Sequence, residues 1–328
     1  MLAEFSDKDH FASISTSTSS LGSMDSIPGE NHSEYDDLAT VKTLYDGKFG
    51  VYLVHAQQTK NYYALKVFPW ENNQPSTYFM REARFSKFHH PNIVSIPHYV
   101  FEHEAYYDDV PAKVSYMLME YAQYGDFFNA LVRYKIPFNE TLVRTYFHQL
   151  INAIGFLHAN GAAHLDIKLE NLLIGEDYTL KIADFDLSYF EEDGPVRTKG
   201  TKNFRAPELL AKTCKDPKAA DVYSAGIMLF LLKTRGNLPY LEDRPNKGLD
   251  MAEVKDKNPK LFWEKHYQLL KKDSSYFSPE FQALFMAMTH FNPSKRISIA
   301  EVKASAWYNG PTYSKKEVAE FMRSQFGC

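Results

Sequence analysis

The stretch from His164 to Asp186 constrains the fold more than any other part of the chain. Two short apolar runs, Leu172–Ile174 and Leu180–Ala183, are separated by a Gly-Glu-Asp turn, and this pattern predicts a β-hairpin. A hairpin brings its two open ends together. Asn171, before the first run, and Asp184, after the second, are therefore expected side by side.

Two further polar residues precede this hairpin on the loop that leads into it. Asp166 and Lys168 would join Asn171 and Asp184, so that two carboxylates, one amide and one cation converge. Burying two carboxylates together without a cation is costly, which argues against a purely structural cluster. Carboxylate and amide oxygens are the ligands that Mg²⁺ prefers. The sequence therefore predicts a Mg²⁺ site for handling phosphate.

Composition sets broad limits on the class of protein. The 328 residues, 44% hydrophobic and 24% charged, are typical of a globular protein with one large domain or two lobes. The net charge is −4, but residues 1–37 hold eight acids and one lysine, so the remainder carries +3. This mild excess of positive charge is compatible with an anionic ligand. The net charge indicates neither a nucleic acid nor a membrane surface as a partner.

Cysteine usage and hydropathy indicate where the chain resides. Only Cys214 and Cys328 are present, which does not suggest a disulfide framework and favours a reducing compartment. The longest apolar run, Ala225–Leu232, is too short to span a bilayer, and the start lacks a signal-peptide core. We expect a cytoplasmic monomer, with a nuclear location left open.

The pattern along the chain changes from disordered to strand-rich to helical. Residues 1–37 form a Ser/Thr-rich acidic tail that is predicted to be disordered, either a flexible segment or a phosphorylated regulatory one. Runs rich in branched and aromatic residues then predict strands. The predicted elements are strands at Val41–Tyr45, Val51–Val54, Tyr62–Val67, Ile93–Phe101 and Lys113–Glu120, a helix at Thr77–Phe88, and a loop at Glu102–Pro111.

The second part of the chain is predicted to be mainly helical. Thr141–His158 carries an apolar stripe at helical spacing, with Asn139 as its N-cap and Asn160-Gly161 as its end. The fold class is therefore α+β, and the hairpin is expected where the two parts meet. Later helices are predicted at Ala219–Leu232, Leu261–Leu270, Pro279–Thr289, Ile299–Ser305 and Lys315–Phe326.

A glycine pair and a lysine in the strand-rich part add a second site for phosphate. Gly47 and Gly50 let the backbone approach phosphates closely, although a simple hairpin turn explains them as well. Lys66 lies between apolar neighbours on a predicted strand, and such a lysine needs an anionic partner. Glu82 on the following helix could pair with it.

With these motifs in order, residues 38–310 resemble a eukaryotic protein kinase of the serine/threonine type. The resemblance implies a bilobal fold, with a small strand-rich N-lobe (about 38–121) containing one main helix and a larger, mainly helical C-lobe (about 122–310). Residues 311–328 would be a C-terminal extension with a short helix. The stretch Tyr116–Tyr121 is loosely similar to the cyclic-nucleotide-dependent and calmodulin-dependent kinases.

The resemblance assigns site residues by position. Asp166 would accept or orient the proton of the attacking hydroxyl, Lys168 would neutralise phosphoryl charge, and Asn171 and Asp184 would hold Mg²⁺. Glu208 and Arg296 would brace the substrate segment as a pair, and Asp221 would brace the catalytic loop. The residues implied for ATP are Leu44, Gly47, Gly50, Ala64, Lys66, Glu82, Met119, Glu120, Ala122, Asp126 and Leu173.

The chain also departs from the family pattern. Tyr45 replaces the first glycine of the phosphate loop, and the spacings of Lys66 and Glu82 each differ by one residue. Leu165 replaces an arginine that meets a phosphorylated activation loop, so activity without loop phosphorylation is expected, although Thr198 remains a candidate site. The acidic run Glu191–Asp193 is predicted to be a solvated loop rather than a mimic of phosphorylation, because Leu165 removes the receiver.

Asp186 replaces a glycine after Asp184, and aspartate tolerates the positive φ that glycine allows there. Lys168 and Thr201 together resemble the serine/threonine class rather than the tyrosine class. The function predicted is transfer of the ATP γ-phosphoryl group to a protein Ser/Thr hydroxyl. The alternatives are a catalytically weak pseudokinase that binds nucleotide as a scaffold and a small-molecule kinase, which the Gly200–Glu208 segment disfavours.

Overall fold

The computed structural model describes Tyr35 and residues 37–107, 110–196, 200–240 and 251–327. Most of the predicted tail, and Thr198, lie outside the described residues. The chain forms two compact units. The first contains residues up to 79 together with 97–119, and the second contains residues 80–96 and the chain from 120 onwards.

The first unit is a five-stranded sheet in the order β1-β2-β3-β5-β4, which confirms the strand-rich prediction. The pairs β1–β2, β2–β3 and β4–β5 are antiparallel. Branched and aromatic side chains predominate in these strands, as expected for a pleated, half-buried surface. The strands are β1 (Leu38–Tyr45), β2 (Val51–Ala56), β3 (Tyr62–Pro69), β4 (His98–Tyr107) and β5 (Val110–Glu120).

Two boundaries predicted for this sheet are wrong. Strand β4 begins at His98 and not at Ile93, because Ile93 forms a parallel bridge with Ile182 instead. The predicted loop Glu102–Pro111 is mostly strand, with Glu104 opposite Lys113 in the β4–β5 register. One of its acidic side chains faces a cation, since the Glu102 carboxylate lies 2.5 Å from the Lys113 ammonium.

Two residues of the predicted tail, Tyr35 and Asp37, are described by the structure. The Tyr35 ring lies 5.7 Å from the Tyr63 ring and stacks on His98 at 5.0 Å. The backbone carbonyl of Asp37 accepts a hydrogen bond from Gln57. Tyr35 and Asp37 therefore pack with the sheet of the first unit.

The predicted helix Thr77–Phe88 is a short α-helix, α1 (Thr77–Glu82), followed by a 3₁₀ turn at Ala83–Lys87. The sequence assigned all of it to the small lobe, but residues from 80 onwards belong to the second unit. The reason is aromatic packing: Phe85 is buried and stacks on Phe185 at 4.3 Å between ring centroids.

The second unit is mainly helical and is built around two long helices, α2 (Glu140–Ala159) and α4 (Pro217–Thr234). Asn139 caps α2 by accepting a hydrogen bond from the Leu142 backbone, as predicted. Helix α4 is buried on every side from Ala220 to Leu232, which fits the apolar run Ala225–Leu232. The other helices are α3 (Pro207–Leu210), α5 (Met251–Lys257), α6 (Pro259–Leu270), α7 (Pro279–Met288), α8 (Ile299–Ala304) and α9 (Lys315–Phe326).

Four short strands complete the second unit: β6 (Ala162–Ala163), β7 (Leu172–Ile174), β8 (Leu180–Ile182) and β9 (Tyr189–Phe190). Strands β7 and β8 form the hairpin that the sequence predicted. No helix within the described ranges is long and apolar enough to cross a membrane.

Candidate active site

The loop after β6 is fixed by one buried carboxylate, that of Asp221 in helix α4. Its two oxygens accept hydrogen bonds from the backbone N–H groups of His164 and Leu165, both at 2.8 Å. The His158 ring lies 3.0 Å from the same carboxylate. Asp221 is completely buried, so this network sets the position of the loop, as the sequence predicted for a bracing residue.

The backbone at Leu165 is unusual and approaches Gly200 closely. Leu165 has a φ of +64°, in the left-handed region that a branched side chain rarely adopts. Its carbonyl oxygen points at Gly200, where a Cβ would lie 2.4 Å away. Gly200 itself has a φ of +100°, so only glycine fits both the angle and the close approach.

Asp166 lies at the centre of the residues predicted to be catalytic. The Lys168 ammonium donates to its Oδ2 at 2.6 Å. Thr201 donates to its Oδ1 twice, through the backbone N–H at 2.7 Å and the hydroxyl at 2.9 Å. The structure therefore brings Asp166, Lys168 and Thr201 together, although Thr201 is distant in sequence.

The pKa of Lys168 depends on three nearby carboxylates. Burial alone would lower its pKa, but the charge and hydrogen bond of Asp166, with the charges of Asp184 and Glu170, raise the pKa above its usual value. Lys168 therefore stays protonated at neutral pH. The influence of Asp184 on this pKa also shows that its carboxylate lies near the Asp166–Lys168 pair.

The hairpin places Asn171 and Asp184 next to each other, as expected. The Asn171 carbonyl accepts a hydrogen bond from Ala183, the residue before Asp184, at 2.9 Å. Asn171 Nδ2 donates to the Asp166 carbonyl at 3.0 Å, so the amide oxygen is the atom that can face a cation. An amide oxygen and a carboxylate are hard donors, and this pair fits Mg²⁺.

Asp186 does not occupy the backbone conformation that the sequence assigned to it. The positive φ falls two residues earlier, at Asp184, whose φ is +67°, and Asp186 is not among the described residues with positive φ. The Asp186 carbonyl accepts a hydrogen bond from Arg81 at 2.7 Å. The replacement of glycine by aspartate at this position therefore needs no left-handed backbone.

Glu82, on α1, belongs to the second unit and is almost fully buried. Its carboxylate accepts a hydrogen bond from the backbone N–H of Phe185, 3.4 Å away, directly after Asp184. This contact ties α1 to the metal-binding end of the hairpin. The pairing of Glu82 with Lys66 stays a prediction.

The residues predicted to bind adenine and ribose in the second unit follow β5. The Glu120 backbone donates to the Ser95 carbonyl at 2.9 Å, and its carboxylate pairs with Lys181 at 2.6 Å. Asp126 bridges to Leu173 and accepts two hydrogen bonds from Asn129, at 2.7 and 2.9 Å. Burial raises the pKa of Asp126 despite those bonds. Ala122 and Leu173 are half-buried on this segment and on β7.

The remaining predicted nucleotide residues belong to the first unit. Lys66 is buried, and its ammonium lies 5.2 Å from the centre of the Phe68 ring. Leu44 is partly exposed on β1, Ala64 is buried on β3, and Met119 is half-buried on β5. These placements are compatible with their predicted roles.

Two tyrosines lie against the glycines of the phosphate loop, which sequence reasoning missed. A Cβ on Gly47 would lie 2.2 Å from the Tyr45 ring, and one on Gly50 would lie 2.6 Å from the Tyr52 hydroxyl. Neither glycine has a positive φ, so what the absent Cβ allows here is the close approach of a ring. Burial, and then the charge of Asp46, raise the pKa of Tyr52.

The predicted scaffold pair is present. Arg296 binds both oxygens of Glu208, at 2.7 and 3.0 Å, and both side chains are buried. The sequence did not predict two other partners, namely Lys181, which pairs with Glu120, and Asn129, which donates hydrogen bonds to Asp126. For Lys181 a signal did exist, since a lysine alternating with Leu180 and Ile182 marks one polar face of a strand.

The acidic run Glu191–Asp193 forms a 3₁₀ turn whose residues are exposed to solvent, as predicted. Each of its three side chains also pairs with a cation, which the sequence did not predict. The cation that binds Glu192 and Asp193 is the guanidinium of Arg84, on the 3₁₀ turn after α1, and not a side chain at position 165.

Comparisons with known proteins agree with the fold. The protein kinase domain family matches residues 38–308. CBL-interacting serine/threonine-protein kinase 12 of Arabidopsis thaliana is 33% identical over 277 residues, covering 81% of this chain and 51% of the relative. CBL-interacting protein kinase 11 of Oryza sativa subsp. japonica is 37% identical over 204 residues, covering 60% of this chain and 37% of the relative.

The chain spans at most about half the length of these curated relatives. The kinase match nevertheless covers most of the chain and includes every element that carries the site. It confirms the resemblance inferred from the motifs and the bilobal α+β fold class. The chain belongs to the protein kinase family.

Proposed function

We propose that the chain is a protein serine/threonine kinase that transfers the γ-phosphoryl group of Mg-ATP to a protein hydroxyl. The observation that carries this proposal is the Asp166 carboxylate, held between the Lys168 ammonium at 2.6 Å and Thr201 at 2.7 Å. A carboxylate oriented in this way can accept the proton of an attacking hydroxyl. The adjacent cation can stabilise charge on the transferring group.

ATP and Mg²⁺ complete the proposed site. Asn171 and Asp184 would hold Mg²⁺, which supplies positive charge against the phosphates. In the first unit, Lys66 and the backbone at Gly47 and Gly50 would hold the phosphates. The remaining nucleotide contacts are proposed for Leu44, Ala64, Glu82, Met119, Glu120, Ala122, Asp126 and Leu173.

The proposed reaction requires only positioning and charge from these side chains. The acceptor hydroxyl donates a hydrogen bond to Asp166 while its oxygen attacks the γ-phosphorus of ATP, and Asp166 takes or directs the proton. The bond from that phosphorus to the β–γ bridging oxygen breaks, and ADP leaves. Lys168 remains protonated because the carboxylates of Asp166 and Asp184 raise its pKa. Thr201 keeps Asp166 in one orientation and borders the acceptor, which is consistent with a short Ser or Thr side chain.

The decisive experiment is transfer of radiolabelled phosphate from ATP to a generic protein substrate. Asp166→Asn and Asp184→Asn are expected to lose several powers of ten in rate, roughly 10³-fold or more, because positioning and charge supply most of the acceleration. The matched control is Asp177→Asn, in the hairpin turn, which should keep full activity. Equal transfer by all variants would overturn the proposal.

The same assay separates the proposal from its main alternative, a pseudokinase scaffold. That alternative is favoured by the Tyr45 ring, which covers the backbone of Gly47. A pseudokinase would bind ATP, measured by calorimetry, and yet show no transfer by the wild-type chain. A peptide library tests the substrate class, and phosphotyrosine as the dominant product would overturn the serine/threonine assignment.

We also propose that activity does not require phosphorylation of the activation loop, because Leu165 stands where the phosphate-binding arginine would be. Turnover before and after phosphatase treatment tests this, and a large loss of activity would contradict it. We do not extend the CBL interaction in the relatives' names to this chain, because the match covers only about half of each relative at most.

A further inference from the structure

The acidic turn after β9 is held at three points, all within the second unit. The Arg84 guanidinium contacts two carboxylates through separate nitrogens, Glu192 at 2.5 Å and Asp193 at 2.6 Å. Glu191 pairs with Lys218 near the start of α4, also at 2.5 Å. The second oxygen of Asp193 accepts a hydrogen bond from the Phe190 backbone at 2.8 Å. The turn therefore connects the segment after α1 with helix α4.

The Arg84 contact is more than a surface ion pair. Exposed single pairs contribute little, because both side chains lose freedom and solvent screens the charges. Here one guanidinium serves two carboxylates, and its central carbon lies 3.9 Å from the centre of the Phe190 ring. Stacking on an aromatic face fixes a guanidinium plane and adds a cation–π attraction. Arg84 is thus positioned by three groups at once.

A column of aromatic rings leads from this contact to the metal-binding end of the hairpin. Phe190 is buried and lies 4.9 Å from Phe85. Phe85 stacks on Phe185 at 4.3 Å, and Phe185 directly follows Asp184. The His164 ring, at the start of the catalytic loop, lies 5.0 Å from Phe185. Rigid packing of this kind transmits a shift at one end to the other.

The charges match those of a phosphorylated residue meeting an arginine. A phosphate group carries about −1.5 to −2 at neutral pH, and Glu192 and Asp193 together bring two negative charges to one guanidinium. Leu165 has no charge to pair with these carboxylates. Arg84, on the 3₁₀ turn after α1, provides the cation instead. The acidic pair is encoded in the sequence, so the contact needs no modifying enzyme.

We propose that Arg84 with Glu192 and Asp193 forms a permanent charge clamp that positions the activation segment and, through Phe190 and Phe85, the Asp184 end of the site. Arg84 is a positioning residue, since it acts through Phe190 rather than on a reacting atom. The expected effect of the clamp on catalysis rests on the proposed kinase function. Its existence as a contact that orders the segment does not depend on that function.

The test is a charge reversal with rescue. Arg84→Glu repels both carboxylates and is expected to lower kcat roughly tenfold, with KM for ATP nearly unchanged. Glu192→Arg repels Arg84 and should lower kcat in the same way. The double variant restores one opposite-charge pair and should recover kcat to within about threefold of wild type. All proteins are treated with phosphatase first.

The control for charge reversal is Lys260→Glu, which reverses a more exposed cation in the Lys260–Glu264 pair of α6 and should leave kcat unchanged. Melting temperature is measured for every variant, so that a folding defect is recognised. Wild-type kcat in Arg84→Glu, or failure of the well-folded double variant to recover, would overturn the clamp.

Amide hydrogen exchange over residues 188–193 separates the clamp from the proposed function. Faster exchange in Arg84→Glu, reversed in the double variant, is expected whether or not the chain transfers phosphate. Absence of transfer by the wild type together with this exchange pattern would refute the kinase proposal and leave the clamp standing. Unchanged exchange in Arg84→Glu would refute the clamp by itself.

Discussion

The catalytic loop, in the second unit, and the phosphate loop, in the first, are stabilised in opposite ways. The catalytic loop is fixed from inside, because the buried carboxylate of Asp221 accepts hydrogen bonds from two consecutive backbone N–H groups. The phosphate loop, residues 46–50, is covered from outside by the rings of Tyr45 and Tyr52 lying on its glycines. Tyr45 is 62% exposed, so its ring can move away at little cost.

The difference corresponds to what each loop has to do. A buried, fully satisfied polar network holds one geometry, since each unpaired donor would carry a desolvation penalty. That suits Asp166, whose carboxylate must be correct to a fraction of an ångström. An exposed aromatic cover on glycines permits opening and closing, which suits a loop that admits and releases a nucleotide.

The largest effect is expected from removing the internal support. Asp221→Ala leaves the backbone N–H groups of His164 and Leu165 buried without acceptors, which should destabilise the fold by roughly 2–4 kcal/mol. Misplacement of the catalytic loop should also lower kcat by about 100-fold or more. Chemical denaturation and phosphate transfer measure the two effects.

A matched control is available in the same helix. Asp216 caps α4 by accepting a hydrogen bond from Ala219 at 3.0 Å. Asp216→Ala should cost about 1 kcal/mol of stability with little change in kcat. If both variants lowered kcat equally, the effect of Asp221 would be general destabilisation and the contrast between the loops would fail.

The second prediction compares Gly200, which lies against the catalytic loop, with Gly47 of the phosphate loop. Gly200→Ala places a Cβ 2.4 Å from the Leu165 carbonyl, and a backbone atom in that network cannot yield. Transfer activity should fall roughly 10- to 100-fold. Gly47→Ala meets only the Tyr45 ring, which can rotate away, so KM for ATP should change by about threefold or less.

Gly194→Ala is the control for backbone angle alone. Gly194 has a φ of +75°, and a Cβ there would meet nothing within 4 Å. This variant should lose about 1 kcal/mol of stability from strain while keeping its kcat. Equal losses in Gly200→Ala and Gly194→Ala would show that the angle, and not the contact with Leu165, accounts for the effect.

The contrast also explains what the sequence could predict. The hairpin and the adjacency of Asn171 and Asp184 follow from local periodicity and a turn, which are properties of neighbouring residues. The pairing of Glu208 with Arg296 was expected because the ordered motifs resemble a known family. In these cases the pattern in the chain carries the information directly.

Contacts that depend on tertiary packing were not predictable in this way. Arg84 and Glu192 are 108 residues apart, and nothing in either local sequence pairs them. The same holds for the backbone of Asp186, since the position of a positive φ depends on how the segment is held. The segment from residue 80 joined the second unit because Phe85 stacks on Phe185, a contact between sites that periodicity cannot connect.

The smallest effect is expected at Tyr45, where the phosphate loop departs from the family pattern. Tyr45→Ala removes the ring from the backbone of Gly47, where phosphates are proposed to approach, so KM for ATP should fall roughly two- to threefold at unchanged kcat. The control is Tyr62→Ala on β3, whose side chain is similarly exposed at 52%. Steady-state kinetics at varied ATP measure both variants. A higher KM, or a kcat reduced by about tenfold, would mean that the Tyr45 ring supports the loop in its working conformation, and the phosphate loop would then resemble the catalytic loop in needing a fixed support.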